Sequence, residues 1–232
     1  MPTETLVTLE ELDTYLDELM MPRRIDEVII HHTWKPTAAD YNGKSTIAAV
    51  RRYHMDVRGW SDNGYHVMVA PNGDLWLCRP MERSGAHTLG RNAHSIGLSY
   101  VANFDVDRPE EYDGWNVGIA ATAKILLERF DLPVQNIRFH NEFAAKSCPG
   151  DNIDIEDYRA QVQEYLGGGA PEVKVVLYPP TPEYPYGTVV PCDPEVTGGV
   201  TRGDVTPLAE AMGFATRWDH DTNKCYLIPK GD

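Results

Sequence analysis

The spacing of apolar positions near the start of the chain predicts a helix over residues 8–20. Leucines recur there every three or four positions, which places them on one helical face: Leu9, Leu12, Leu16 and Leu19. Thr8 followed by Glu11 matches a capping box, in which each side chain accepts a hydrogen bond from the other residue's backbone N–H. The helix is therefore expected to begin next to Thr8 and to bury its leucine face.

Further along the chain, short apolar runs alternate with helical patterns. The runs predict strands at 26–31, 64–70, 74–80, 95–102 and 137–140, and the helical patterns predict helices at 45–58, 109–130 and 154–166. Asn72-Gly73 stands between two of the runs and is a strong hairpin signal. Because strands and helices alternate, the sequence predicts an α/β fold with a central mixed β-sheet flanked by helices.

A glycine-rich segment, GGGAPE at 167–172, separates two parts of different character. A run of glycines before a proline is typical of a linker. The larger part, 1–166, holds all the elements described above. The smaller part, 173–232, is predicted to form a small α+β module with a short helix at 206–213 and a final strand at 224–229.

Composition and charge restrict the partners. The chain has 232 residues, and its 35 acidic against 21 basic side chains give a net charge of −14, which disfavours nucleic acid as the main partner. No apolar run approaches the roughly 18 residues that span a bilayer, so membrane insertion is not expected. The N-terminal segment lacks the basic start and apolar middle of a signal peptide, which predicts synthesis in the cytoplasm without one. The four cysteines are widely spaced, which favours thiols or a metal ligand over a disulfide framework.

Candidate chemistry is concentrated in two segments. His31 and His32 stand side by side at the end of the run at 26–31. Adjacent side chains on a strand point to opposite faces, so only one of the two is expected at a given site. His140 and Cys148 have seven residues between them, and imidazole and thiolate are natural zinc ligands. Spacing alone leaves both a zinc site and ordinary structural roles open, since this is not a compact zinc-finger spacing.

Four segments, in order, resemble the zinc-dependent N-acetylmuramoyl-L-alanine amidase family, which includes the phage lysozyme-type amidases and the peptidoglycan recognition proteins. They are VIIHHT, HMDVRGWSDNGYHVMVAPNGDLW, NAHSIGLSYV and FHNEFAAKSCPG, and the resemblance extends over about residues 25–166. It implies a single Zn²⁺ ion bound by His31, His140 and Cys148. His32 is then expected on the opposite face of the strand, in a structural role.

The resemblance also implies side chains that act on the substrate. Tyr65 and Lys146 match catalytic positions of the family. Amide hydrolysis builds negative charge on the carbonyl oxygen, which a phenol and an ammonium group stabilise, although Tyr65 could instead orient or deprotonate the attacking water. Taken singly, these residues would be a packed aromatic and a solvated lysine. Trp34, His87 and Asn92 are predicted to line the substrate groove.

The activity implied by this resemblance is hydrolysis of the amide bond between N-acetylmuramic acid and L-alanine of peptidoglycan. Residues 1–166 would then be the zinc amidase catalytic domain, and the module at 173–232 is predicted to bind the cell wall. Together these features predict a phage endolysin that acts on the wall after the host membrane is breached. The alternatives are a non-lytic peptidoglycan-binding module and a cytoplasmic amidase that trims recycled muropeptides. The sequence does not define the host, the stem-peptide preference or the oligomeric state.

Overall fold

The five strands predicted in 1–166 assemble with one further strand into a six-stranded sheet in a computed structural model that describes residues 4–167, 189–190, 214–219 and 224–229. The strands are β1 (Thr5–Val7), β2 (Glu27–His32), β3 (Val67–Val69), β4 (Leu75–Leu77), β5 (Ser95–Tyr100) and β6 (Ile137–Phe139). Their order across the sheet is β1-β4-β3-β5-β2-β6. β4 pairs antiparallel with β1 and β3, whereas β5 and β2 pair parallel with their neighbours. The predicted mixed sheet is confirmed.

Four helices accompany this sheet: α1 (Leu9–Glu18), α2 (Lys44–Arg52), α3 (Asp113–Ala123) and α4 (Ile155–Gly167). The predicted capping box is present at α1, where the Glu11 N–H donates to Thr8 Oγ1 at 3.1 Å and the Thr8 N–H donates to Glu11 Oε2 at 2.7 Å. α2 and α3 both continue as π-helical turns, over Tyr53–Val57 and Lys124–Arg129. Among the described residues, none of the helices is both long enough and apolar enough to cross a membrane.

The sheet is covered by helices on both faces, which gives three layers. One face carries the main apolar core, where Val28 and Ile30 of β2 pack with residues of α1, α3 and α4. The other face carries a smaller cluster, in which Ile47 and Val50 of α2 pack with Met68 and other side chains of the hairpin. All six residues of β2 are buried, as expected for a central strand covered on both faces.

Several element boundaries differ from the sequence prediction, and one strand was not predicted. β3 and β4 are shorter than the predicted ranges 64–70 and 74–80. The helix predicted from residue 109 begins at Asp113, because Pro109–Glu111 form a separate 3₁₀ turn. β1 was not predicted, since three residues are too few to establish a periodic pattern. Its place is set by pairing with β4 at the edge of the sheet, where Thr5 lies opposite Leu77.

Residue contacts divide the chain into two compact units, 1–169 and 170–232. In the second unit the described residues form an antiparallel sheet in the order β7-β9-β8, with β7 at Val189–Val190, β8 at Phe214–Asp219 and β9 at Lys224–Pro229. The strand predicted at 224–229 is confirmed, and the helix predicted at 206–213 lies outside the described residues. The functional roles assigned to 1–166, 167–172 and 173–232 stay predictions.

Candidate metal centre and groove

The two histidine segments meet because β2 and β6 are parallel neighbours. His31 is the fifth residue of β2, and His140 follows directly after β6. The carboxyl ends of the two strands therefore lie at the same edge of the sheet, and the rings of His31 and His140 have centroids 4.5 Å apart. The strand pairing thus brings together two side chains that are far apart in sequence.

Cys148 completes a cluster of three potential ligands. The ligand atoms of His31, His140 and Cys148 all lie within 4.8 Å of one another, and Cys148 Sγ is 3.6 Å from His31 Nδ1. His31 and Cys148 are buried, whereas His140 is partly exposed. Two imidazoles and one thiolate suit zinc, and three protein ligands are typical of a catalytic zinc site. The residues present therefore fit zinc, the metal that the family resemblance implies.

The protonation states of these groups follow from burial. Burial lowers the pKa of His31 well below its usual value, and burial with the nearby Lys146 charge lowers the pKa of His140 to about 4. Both imidazoles are therefore neutral at pH 7 and have a lone pair for a metal. Burial raises the pKa of the Cys148 thiol to about 12. A cation bound beside Cys148 must displace that proton, since the thiolate is the metal ligand.

His32 lies on the opposite face of β2 from the cluster. Its Nδ1 accepts a hydrogen bond from the backbone N–H of Phe104 at 3.1 Å, and its ring packs near the Phe104 ring. Phe104 belongs to the main apolar core. The structural role predicted for His32 is consistent with this position.

Tyr65 stands beside the cluster, where its ring centroid is 5.1 Å from that of His31. Burial and the neighbouring Cys148 sulfur raise the pKa of the Tyr65 phenol, while the Ser99 side chain, which hydrogen-bonds to it, acts in the opposite direction. The phenol is therefore protonated at neutral pH and can donate a hydrogen bond. Its catalytic role stays a prediction that this geometry permits.

Lys146 is also close to the three ligands. Its positive charge lowers the pKa of His31 and His140, which burial lowers more strongly. The same charge also lowers the pKa of Cys148, against the larger rise that burial causes. The Lys146 side chain is exposed and lines the same groove as Tyr65. A cation at this place can stabilise negative charge that develops near the cluster, so its predicted role also remains open to test.

An open groove of about 1290 Å³ borders the cluster. It runs between α2 on one side and the segments 86–92 and 140–146 on the other. Trp34, predicted to contact substrate, lies at this groove and is 55% exposed. Its backbone has a φ of +59°, a conformation that is rare for a bulky side chain and is found mostly where the surrounding structure enforces it.

The other two predicted groove residues, His87 and Asn92, also line the groove but use polar atoms internally. His87 Nδ1 lies 3.1 Å from His31 Nε2. Asn92 Oδ1 accepts hydrogen bonds from the backbone N–H groups of His87 and Thr88, at 2.8 and 2.9 Å. Contact of these two side chains with substrate stays a prediction. The structure adds that His87 contacts His31 of the cluster and that Asn92 holds the backbone on either side of the His87–Thr88 bond.

Two serines near the cluster were not singled out by the sequence analysis. Ser99 hydrogen-bonds to Tyr65, and Ser95 Oγ lies 3.3 Å from His87 Nε2. The signal was present in the strand pattern, because small polar residues alternate with large apolar ones along β5 in SIGLSY. Such alternation separates a polar face from a core face.

Known proteins match the part of the chain that forms this cluster. Residues 21–151 match the family model described as N-acetylmuramoyl-L-alanine amidase. The chain is 33% identical over 132 residues to peptidoglycan-recognition protein SC1a of Drosophila melanogaster, covering 54% of this chain and 68% of that protein. It is 29% identical over 127 residues to the N-acetylmuramoyl-L-alanine amidase of Homo sapiens, covering 53% of this chain and 22% of that longer protein.

Among solved structures, the Ph2119 endolysin from Thermus scotoductus MAT2119 bacteriophage Ph2119 has the same fold, with a TM-score of 0.52 and 18% sequence identity over 62% of this chain and 88% of that chain. The expected amidase and peptidoglycan-recognition fold is thereby confirmed. The family model covers more than half of the chain. The matched residues include β2, which carries His31, β6, which His140 follows, and the loop that carries Cys148. This protein therefore belongs to the N-acetylmuramoyl-L-alanine amidase family.

Proposed function

We propose that this protein is a zinc-dependent hydrolase that cleaves the amide bond between N-acetylmuramic acid and L-alanine in peptidoglycan. The observation that carries the proposal is the convergence of His31, His140 and Cys148 at the edge of an open groove. The family match supports an amidase of this kind. The wall polymer itself is the proposed partner, because the relatives include proteins named for recognising peptidoglycan.

His31, His140 and Cys148 would hold the metal. Bound zinc supplies Lewis-acid chemistry, which lowers the pKa of water and polarises a carbonyl group. In the net reaction, water adds its oxygen to the lactyl carbonyl carbon, the C–N bond breaks, and the alanine nitrogen leaves as an amine that takes up a proton. The glycan strand is not cut.

Tyr65 and Lys146 would act on the same carbonyl. A protonated phenol and an ammonium group can both interact with a carbonyl oxygen that gains negative charge in the transition state. Both side chains line the groove beside the ligand cluster. In a partly buried site such groups act more strongly than in water, because the local dielectric constant is lower.

The biological setting proposed for this activity is wall degradation by a phage endolysin. The support is that a solved phage endolysin shares the fold. The protein would be made in the cytoplasm and reach the wall after the host membrane is breached. Clearing of a suspension of purified cell walls is expected in this setting, whereas an amidase of muropeptide recycling would act on soluble fragments only.

Binding without hydrolysis is the second candidate function, because peptidoglycan-recognition proteins are among the relatives. The complete set of two imidazoles and one thiol, with Tyr65 alongside, favours hydrolysis over binding alone. The two functions differ in product: hydrolysis releases peptides with a new N-terminal alanine and creates no new reducing sugar ends.

The decisive experiment compares metal content and wall hydrolysis in the wild type, Cys148→Ala and Cys78→Ala. Cys78 is a buried thiol in the smaller apolar cluster, outside the ligand set, and is the matched control. We expect Cys148→Ala to lose bound zinc and activity, Cys78→Ala to keep both, and a chelator to inactivate the wild type. Retention of zinc by Cys148→Ala would refute the ligand assignment, and binding of walls with no new N-terminal alanine would refute the hydrolase.

A further inference from the structure

His31 uses both of its ring nitrogens. Nδ1 faces Cys148 Sγ at 3.6 Å, and Nε2 lies 3.1 Å from His87 Nδ1. A neutral imidazole carries one N–H and one lone pair, so a metal at Nδ1 requires the proton at Nε2. That proton then needs an acceptor, and the His87 Nδ1 atom is placed to accept it.

The donor and acceptor in the His31–His87 and His87–Ser95 contacts follow from the hydrogen bond that Ser95 makes. Ser95 Oγ donates to the backbone carbonyl of Arg91 at 3.0 Å, and a carbonyl oxygen can only accept. With the single Ser95 proton assigned to this shorter contact, the contact between Ser95 Oγ and His87 Nε2 at 3.3 Å has the His87 N–H as donor. His87 Nδ1 is left with its lone pair, directed at His31.

The fold leaves a space shaped for the His87 ring. A Cβ at Gly97, in the middle of β5, would lie 2.6 Å from His87 Cγ, and a Cβ at Gly85 would overlap the same ring. Glycine inside a strand is unfavourable and often marks a place where another group approaches closely. The segment is also held by its backbone, since Asn92 accepts the N–H groups of His87 and Thr88.

We propose that His87 is a positioning residue that holds His31 in the Nε2-protonated tautomer and so presents His31 Nδ1 to the metal. Ser95 sets the tautomer of His87 in turn. Thr88 Oγ1, 3.1 Å from His87 Nδ1 and 3.5 Å from His31 Nε2, lies beside the same hydrogen bond. This inference rests on the zinc site proposed above.

The first test uses the unaltered protein loaded with zinc. Long-range proton–nitrogen correlation in the NMR spectrum reports which nitrogen of each imidazole carries the proton. We expect both His31 and His87 to be neutral and protonated at Nε2. Protonation of His87 at Nδ1 would overturn the proposal, because His87 could then not accept from His31.

The second test measures zinc affinity by competition with a chromophoric chelator. Removing the partner of a metal-ligating histidine typically costs 10- to 100-fold in metal affinity, so we expect a loss of about that size for His87→Leu. His87→Asn places an amide oxygen near the position of Nδ1 and should recover most of the affinity. Ser84→Ala, at an exposed serine outside these contacts, is the control.

The outcomes separate this inference from the zinc site itself. If Cys148→Ala binds zinc as tightly as the wild type, the proposed zinc site fails. If Cys148→Ala loses zinc while His87→Leu binds it like the wild type, only the positioning role fails. Thermal unfolding of the metal-free variants checks that each is folded. Should His87→Leu not fold, the NMR tautomers of His31 and His87 in the unaltered protein decide the matter.

Discussion

His31 and His32 are neighbours in sequence, yet their side chains serve different parts of the molecule. His31 faces Cys148 and His87, whereas His32 accepts a backbone hydrogen bond from Phe104 beside the apolar core. The cause is the twofold alternation of side chains along a strand. A shift of β2 by one residue relative to β5 would exchange these positions, so the strand register determines which histidine joins the cluster with His140 and Cys148.

Tyr65→Phe tests the phenol at the residue scale. The change removes one hydroxyl beside His31 and leaves the ring in place. Loss of one donor to a developing oxyanion typically costs about 10²- to 10³-fold, so we expect kcat/KM to fall by that amount while zinc content stays unchanged. Release of N-terminal alanine from purified walls gives the rate. Tyr15→Phe, at a tyrosine of α1 that contacts Glu82, is the control; a variant Tyr65→Phe with normal kcat/KM would exclude the predicted role.

Lys146→Met tests the charge beside the ligands. Because a cation near the carbonyl oxygen stabilises the transition state, we expect kcat/KM to fall by about 10- to 100-fold. Lys146→Arg keeps the charge but not the compact ammonium group, so its kcat/KM should lie between those of the wild type and Lys146→Met. Lys44→Met, at an exposed lysine in the first turn of α2, is the comparison. Equal losses in the Met and Arg variants would argue against a simple charge effect.

The sequence predicted the convergence of three side chains better than it predicted the contacts around them. His31, His140 and Cys148 stand in segments whose residue types resemble a known family, so their place could be read from the order of the motifs. The contact between His31 and His87 could not, because 56 residues separate them and the contact depends on the course of the loop after β4. His87 was predicted only to line the groove.

At the scale of elements, local signals predicted what local interactions decide. The capping box at Thr8 and the Asn72-Gly73 turn involve residues close in sequence, and the structure has both the capped α1 and the antiparallel pairing of β3 with β4. β1 depends instead on a distant partner in β4, and no local pattern marks it. Tertiary pairing therefore accounts for the element that was missed.

Gly118→Ala tests the packing of α3 on the sheet. Alanine normally stabilises a helix interior by about 1 kcal/mol relative to glycine. Here a Cβ at position 118 would overlap the Tyr100 hydroxyl, which shares a 3.0 Å hydrogen bond with Tyr158. Overpacking typically costs about 1–3 kcal/mol, so we expect the free energy of unfolding in urea to fall by about that much.

The control for this change is Asn116→Ala on the same helix. Asn116 is exposed, and alanine has the higher helix propensity, so its free energy of unfolding should stay equal or rise slightly. A Gly118→Ala variant that is as stable as Asn116→Ala would show that the helix can shift away from Tyr100 without loss.

At the scale of the whole first unit, the two faces of the sheet have different tasks. The face toward α1, α3 and α4 carries the larger of the two apolar clusters. The opposite face buries a group of imidazoles, which includes His54, His66 and His87 beside His31 of the cluster. Burial favours the neutral form of an imidazole, so this group of histidines makes the fold sensitive to acid.

The pH dependence of stability follows from these histidines. Burial, with the nearby Arg23 charge, lowers the pKa of His66 to about 3, and burial lowers the pKa of His54 to about 4. In the unfolded chain both titrate near 6.5. Below pH 6.5 the unfolded chain therefore binds protons that the folded protein does not. The free energy of unfolding must then fall as the pH drops from 6.5 toward 4. The expected fall is up to about 1.4 kcal/mol per pH unit for each histidine.

Urea unfolding of the metal-free protein at pH 7, 6 and 5 measures this slope. We expect the midpoint to fall steadily below pH 6.5, and we expect His66→Gln to reduce the slope because one titrating group has been removed. His94→Gln, at an exposed histidine, is the matched control and should leave the slope unchanged. His66 lies outside the ligand set and hydrogen-bonds to the backbone N–H of Gly97, so its contribution is separable from metal binding. An unchanged slope in His66→Gln would mean that His66 is charged in the folded protein, which is incompatible with the buried contacts described for it.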